Sequence, residues 1–197
     1  MGSCGGVDEW KVEMSIIYGK RIRLRAVERE DVTKFHEWVN DPEVTRSLAL
    51  YLPMSMRDEE NWFDGFGKRD PNEKPLAIEI RKGKAWKLIG NCATFGIDMV
   101  NRSAELGIMI GAKEEWNKGY GAESMTLLLK HGFETLNLNR LFLRVYEANV
   151  RAVRSYEKAG FVFEGKMRQA VYKHGNYDDV LFMSVLRSEW DSRNKEK

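Results

Sequence analysis

Residues 116–122 read Trp-Asn-Lys-Gly-Tyr-Gly-Ala, and an apolar pattern at helical spacing starts immediately behind them. This turn constrains the chain more than any other stretch. Extended backbone has to stop there, and a helix has to begin with its first N–H groups facing outward. Those groups and the positive end of the helix dipole suit a phosphate. A Gly-x-Gly before a helix is also an ordinary turn, so the strand ahead of it and residues 142–165 behind it have to be read together with it.

The 197 residues suit one domain. A net charge of +2 gives no bulk argument for nucleic acid or membrane as a partner. No apolar run approaches the ~20 residues of a membrane helix. The two cysteines, Cys4 and Cys92, do not make a disulfide framework and fit a reducing cytoplasm. The start, Met1-Gly-Ser-Cys-Gly-Gly6, fails the myristoylation pattern because its sixth residue is Gly rather than Ser or Thr. It reads as a flexible tail or an expression remnant. The sequence therefore divides into a flexible extension over 1–19, one domain over 20–190 and a charged tail over 191–197.

Residues 21–27 alternate polar and apolar, as a half-buried strand does. Val32, Phe35 and Val39 recur at helical spacing, and Asn40-Asp41-Pro42 ends that helix. Ser55 and Asp58 form a capping-box pattern before Trp62, Phe63 and Phe66. Strands are expected at 76–81, 86–97 and 103–111, with turns at 82–84 and 98–102. Ala122, Met125, Leu129, Phe133 and Leu136 form one face of a long helix. A strand at 140–146 precedes a helix over 150–159, capped by Asn149 and stopped by Gly160. Strands at 161–172 and 178–187 join through His174-Gly175-Asn176. The order βααβββαβαββ predicts an α+β fold around one mixed sheet.

That order and its motifs resemble the GCN5-related N-acetyltransferase (GNAT) superfamily over residues 20–190. Gly119 and Gly121 match the family's phosphate turn; Trp116 departs from its usual leading Gln or Arg. Together with Glu123, Trp116 looks like the RimJ/RimL-type ribosomal-protein alanine N-acetyltransferase subgroup. Asn149, Tyr156, Lys158, Gly160 and Phe161 fit the family's Asn…Tyr-x-Lys-x-Gly-Phe signature. The resemblance implies a mostly antiparallel sheet with helices on both faces. It also implies acetyl-CoA as cosubstrate and, by analogy, a homodimer.

It further implies roles for individual residues. Trp116, Asn117, Lys118, Gly119, Tyr120, Gly121 and Ala122 would hold the pyrophosphate. Ile108, Met109 and Ile110 would meet the pantetheine arm by strand-like pairing. Asn149 would orient the cofactor or cap its helix, and Lys158 would sit on the same site. Tyr156 would protonate the leaving thiolate as general acid; its spacing alone is equally that of an apolar helix position. Glu105 is either the base or a strand residue paired with a cation. Arg151 and Arg154 share a helix face with Lys158, which reads as solvated or as a 3′-phosphate site. His36, His131 and His174 have no metal-ligand spacing, so no metal is expected.

The RimJ/RimL-type resemblance implies a primary amine as acceptor, either at a protein N-terminus or on a small molecule. Residues 161–182 also look like spermidine N-acetyltransferases. Residues 44–56, expected to face the acceptor, hold no acid, which makes a polyamine the alternative rather than the first reading, although Asp41, Glu43 and Asp58 flank the segment. Trp38 and Trp62 are candidate acceptor-pocket residues. The reading of another class is a CoA-binding or ribosome-associated module without turnover.

Overall fold

The computed structural model describes residues 16–195. The short extension with Cys4, and the last two residues, lie outside them. The elements are β1 (Ile17–Tyr18), β2 (Ile22–Ala26), α1 (Val32–Val39), α2 (Pro42–Thr45), α3 (Met56–Asp64), β3 (Leu76–Lys82), β4 (Ala85–Asp98) and β5 (Ser103–Ile110). They continue with α4 (Tyr120–Lys130), β6 (Arg140–Tyr146), α5 (Val150–Ala159), β7 (Val162–Lys173), β8 (Asn176–Leu186) and α6 (Arg187–Lys195). The result is α+β, with one eight-stranded sheet in the order β1-β2-β3-β4-β5-β6-β8-β7. Every neighbouring pair is antiparallel except β5 with β6.

The expected alternation makes β2 a half-buried strand: Ile22 and Leu24 are buried, while the residues between them pair with other groups. Arg23 and Arg25 both reach Glu79 of β3, at 2.6 and 3.0 Å, so this buried carboxylate is satisfied. Ser55 and Asp58 close the capping box that opens α3. The β7–β8 hairpin turns on His174 and Gly175 alone, with φ of 50° and 81°. Two positive φ values match a two-residue primed turn, so β8 starts at Asn176 rather than 178.

The helix predicted to run through Leu136 ends at Lys130 and widens into one π turn over His131–Thr135. Gly132 lies against β6 there; a Cβ at this position would stand 2.6 Å from Leu141 Cδ1. Arg187 donates to the Phe133 carbonyl that the wider turn frees. Three elements have no counterpart in the predicted order: β1, α2 and α6. β1 pairs with β2, so the sheet takes in Ile17 and Tyr18. α6 seats a buried Trp190 against Phe133 with ring centroids 5.8 Å apart, and its indole donates to Glu134 at 3.2 Å.

One irregularity places the site. β5 pairs with β6 only through Ser103–Glu105 against Arg140–Phe142. Its other edge stays paired with β4 as far as Ile110. The two parallel strands therefore part beyond Glu105, and the edge of residues 106–110 facing β6 has no strand partner.

Candidate active site

The parted strands open into a continuous cavity of about 1190 Å³. At one end lies the 117–122 turn with the start of α4 and one face of α5; at the other lie α1, α3 and β7. Residues of β5 and β6 line the middle from both sides.

The turn is built from backbone. Asn117 and Gly119 take φ of 61° and 84°, and the second value favours glycine. Helix α4 starts at Tyr120 with no side-chain cap on Gly119. Among the described residues, no acceptor takes a hydrogen bond from the backbone N–H of any residue from 117 to 122. This row of free donors at a helix start fits a pyrophosphate, and it is the observation of the fold that suits coenzyme A.

Side chains hold the turn rather than fill it. Glu115 is buried and accepts from Lys118 at 2.9 Å, with Lys82 and Lys87 each at 3.1 Å. The bond from Lys118 leads in holding its carboxyl down at about 2. Lys118 Nζ is thus committed to Glu115. The Trp116 indole donates to the Ile110 carbonyl at 2.7 Å, tying the turn to the end of β5, and Arg151 stacks over its ring at 3.6 Å. Arg21 was not singled out in the sequence. It donates to the Lys118 carbonyl at 3.0 Å and forms a two-point contact with Glu123 at 2.8 and 2.9 Å. No local signal announces it, because Glu123 is 102 residues away in sequence.

The open edge of β5 belongs to Ile108 and Ile110. A Cβ built on Gly90 of β4 would lie 2.0 Å from the Met109 carbonyl, so that carbonyl faces β4. Alternation along an antiparallel ladder then turns Ile108 and Ile110 to the slot. This corrects the grouping of Met109 with them: its backbone is spent on the sheet. Ile110 keeps only its N–H, because Trp116 occupies its carbonyl.

Helix α5 brings Tyr156, Lys158, Arg151, Arg154 and Ser155 onto the cavity. Asn149 caps it, accepting from the Ala152 N–H at 3.2 Å. Tyr156 is 8% exposed and packs on Phe161 at 5.8 Å. No group among the described residues bonds its hydroxyl, and no buried side-chain polar atom lacks a partner, so the hydroxyl is open to the cavity. Burial pushes its pKa up to about 12.

Glu105 also lines the cavity, and both its oxygens accept from Arg144, at 2.8 and 3.0 Å. At the far end, Trp62 lines the cavity edge-on to Phe35, with centroids 5.7 Å apart at 86°. Trp38 does not line it; its ring covers Gly111, where a Cβ would stand 2.0 Å away. The flanking acids are engaged. Asp41 and Glu43 pair with Lys113 at 2.7 and 3.0 Å, and Asp58 closes its capping box. Glu59 of α3 is 5% exposed and lines the cavity. The sequence carried one signal for it: Glu59 shares a helical face with Trp62, Phe63 and Phe66. Among the described residues no cluster of His, Cys, Asp and Glu could hold a metal, and no helix is long and apolar enough to cross a membrane.

The fold, the parted strands and the free-donor turn define an acyl-CoA transferase of the GNAT type. Residues 21–162 match the model of the acetyltransferase (GNAT) domain family, and the chain belongs to that family. It is an N-acetyltransferase, with acetyl-CoA as the acetyl donor. It is similar to the spermidine N(1)-acetyltransferase of Vibrio cholerae, 31% identical over 89% of this chain and 98% of the relative. A crystal structure of the Vibrio cholerae spermidine N-acetyltransferase with CoA and spermine superposes with a TM-score of 0.78. It is 30% identical and covers 87% of this chain and 99% of that one. The putative ribosomal N-acetyltransferase YdaF of Bacillus subtilis is 36% identical over 104 residues, 53% of this chain and 56% of the relative.

Proposed function

We propose that the protein acetylates a primary amine of a small cationic acceptor of the polyamine class, by direct attack in a ternary complex. The observation that carries this reading is the single cavity joining a phosphate turn to an aromatic, acid-bearing chamber through the parted strands. The likeness to spermidine N-acetyltransferases supports it. Acetyl-CoA supplies the thioester carbonyl.

The chain's own residues would then act as follows. The N–H groups of residues 117–122 bind the pyrophosphate by charge-assisted bonds, and Lys158, Arg151 and Arg154 face the donor from α5. The N–H of Ile110 and the backbone of Ile108 align the pantetheine arm as an added strand. This fixing makes attack effectively intramolecular. Tyr156 holds its proton at every ordinary pH and gives it to the departing sulfur. Glu105 takes an amine proton only by yielding a bond to Arg144 or through a water on a remaining lone pair.

A second reading, acetylation of a peptide N-terminus, draws on Trp116. Its bond to Ile110 makes it integral to the turn, and the YdaF-like segment supports that subgroup. An α-amine with a pKa of about 8 would also need less help to lose its proton than a polyamine with a pKa of about 10.

Thiol release from acetyl-CoA, measured against spermidine, spermine, a monoamine and alanine-terminated peptides, tests both. The proposal expects the polyamines to have the highest kcat/KM. A peptide as the best acceptor would replace it with the second reading, and tight CoA binding without turnover on any amine would overturn both.

A further inference from the structure

One carboxylate near the acceptor chamber is left over. Asp41, Glu43, Asp58 and Glu105 are each bonded to a lysine, a helix start or an arginine. The Glu59 side chain has no hydrogen bond or ion pair with any described residue, although the residue is only 5% exposed. Since no sealed polar atom lacks a partner, its oxygens must reach the cavity, which it lines beside Phe35 and Trp62. Arg69, another charged side chain on this lining, is held over the Phe66 ring at 5.4 Å.

We propose that Glu59 is the counter-ion for a second, distal ammonium of the acceptor, so that the chamber selects diamines and polyamines over monoamines. This rests on the polyamine reading above and assigns a residue to it. A carboxylate buried without a partner is unfavourable, and an entering cation removes that penalty. The edge-on rings of Phe35 and Trp62 suit the methylene chain and the ammonium beside it. The ammonium at Glu59 is not the attacking group. A carboxylate partner keeps the proton on an amine, and the nucleophile must lose it. Glu59 also stands on α3, whereas Tyr156 and the parted strands mark the reacting centre. Burial raises the pKa of the Glu59 carboxyl above its ordinary value, opposed by His36 and reinforced by Asp58.

The test uses the full chain and its Glu59→Gln and Glu59→Asp variants, with spermidine and n-butylamine as acceptors at saturating acetyl-CoA. Glu59→Gln should raise the spermidine KM roughly 10- to 100-fold, leave kcat within about threefold and leave n-butylamine kcat/KM unchanged. Glu59→Asp, which keeps the charge, should recover part of the loss. CoA affinity, read by titration, should be that of the wild type in both variants and so reports an intact fold. An unchanged spermidine KM, an equal loss on both amines, or a fall in kcat alone would overturn the assignment of Glu59 while leaving the polyamine reading in place. A wild-type enzyme that acetylates peptides but no polyamine would overturn both.

Discussion

The two ends of the cavity are made of different material. The donor end is backbone: a row of N–H groups, a glycine at φ 84° and an open strand edge. The acceptor end is side chain: Phe35, Trp62 and one partnerless carboxylate on α1 and α3. A backbone site depends on conformation, so few substitutions leave it intact while changing its ligand. A side-chain site can change ligand with one residue and keep its fold. The donor is therefore a property of the family, and the acceptor is a property of the individual chain.

The comparison breaks first, and most strongly, at the reacting centre between the two ends. Tyr156→Phe should lower kcat by ~10²- to 10³-fold with both KM values nearly unchanged, because only the proton donor is lost. With the hydroxyl raised to about 12, the wild-type kcat profile should show no alkaline decline from this group below about pH 10. A Tyr156→Phe enzyme of full kcat would remove the tyrosine from the chemistry.

At the donor end, Gly119→Val should raise the acetyl-CoA KM roughly 10- to 100-fold, since a branched residue at positive φ pulls the turn out of its donor geometry. The added Cβ would stand 3.3 Å from Arg21, which can swing away, so backbone strain is the cause. Steady-state kinetics at fixed acceptor would show it, and an unaltered KM would contradict a backbone site.

A smaller effect sharpens what holds the turn. The Glu115 carboxyl lies at about 2 instead of its ordinary 4.5. A depressed folded pKa adds stability above about 4.5 that is lost as pH falls toward about 2. Glu115→Gln should therefore melt roughly 2–4 °C lower at neutral pH, and the gap from wild type should close through that window. Thermal melts at stepped pH would check it; a gap constant with pH would mean that the lysine cluster contributes nothing.

The same contrast explains how much could be read from the chain. The Gly-x-Gly turn, the strand before it and the α5 signature were legible because glycine positions and local periodicity dictate backbone. The order of elements along the chain followed closely for that reason. What escaped depended on distant groups. Arg21 matters through Glu123 and Lys118, far along the chain. The π turn exists because Gly132 meets Leu141 and Arg187 reaches Phe133. Met109 was grouped with the open edge because ladder alternation cannot be phased without knowing which residue faces β4. Glu59 is the middle of three successive acids, Asp58-Glu59-Glu60; that its side chain lacks a partner is a tertiary fact.

An initial-rate grid, varying acetyl-CoA against spermidine, run on wild type, Gly119→Val and Glu59→Gln, tests the division of the cavity most directly. The account predicts that Gly119→Val moves only the acetyl-CoA KM and Glu59→Gln only the spermidine KM. If either variant moved both constants together, the two ends would not be separate sites and the account would be contradicted.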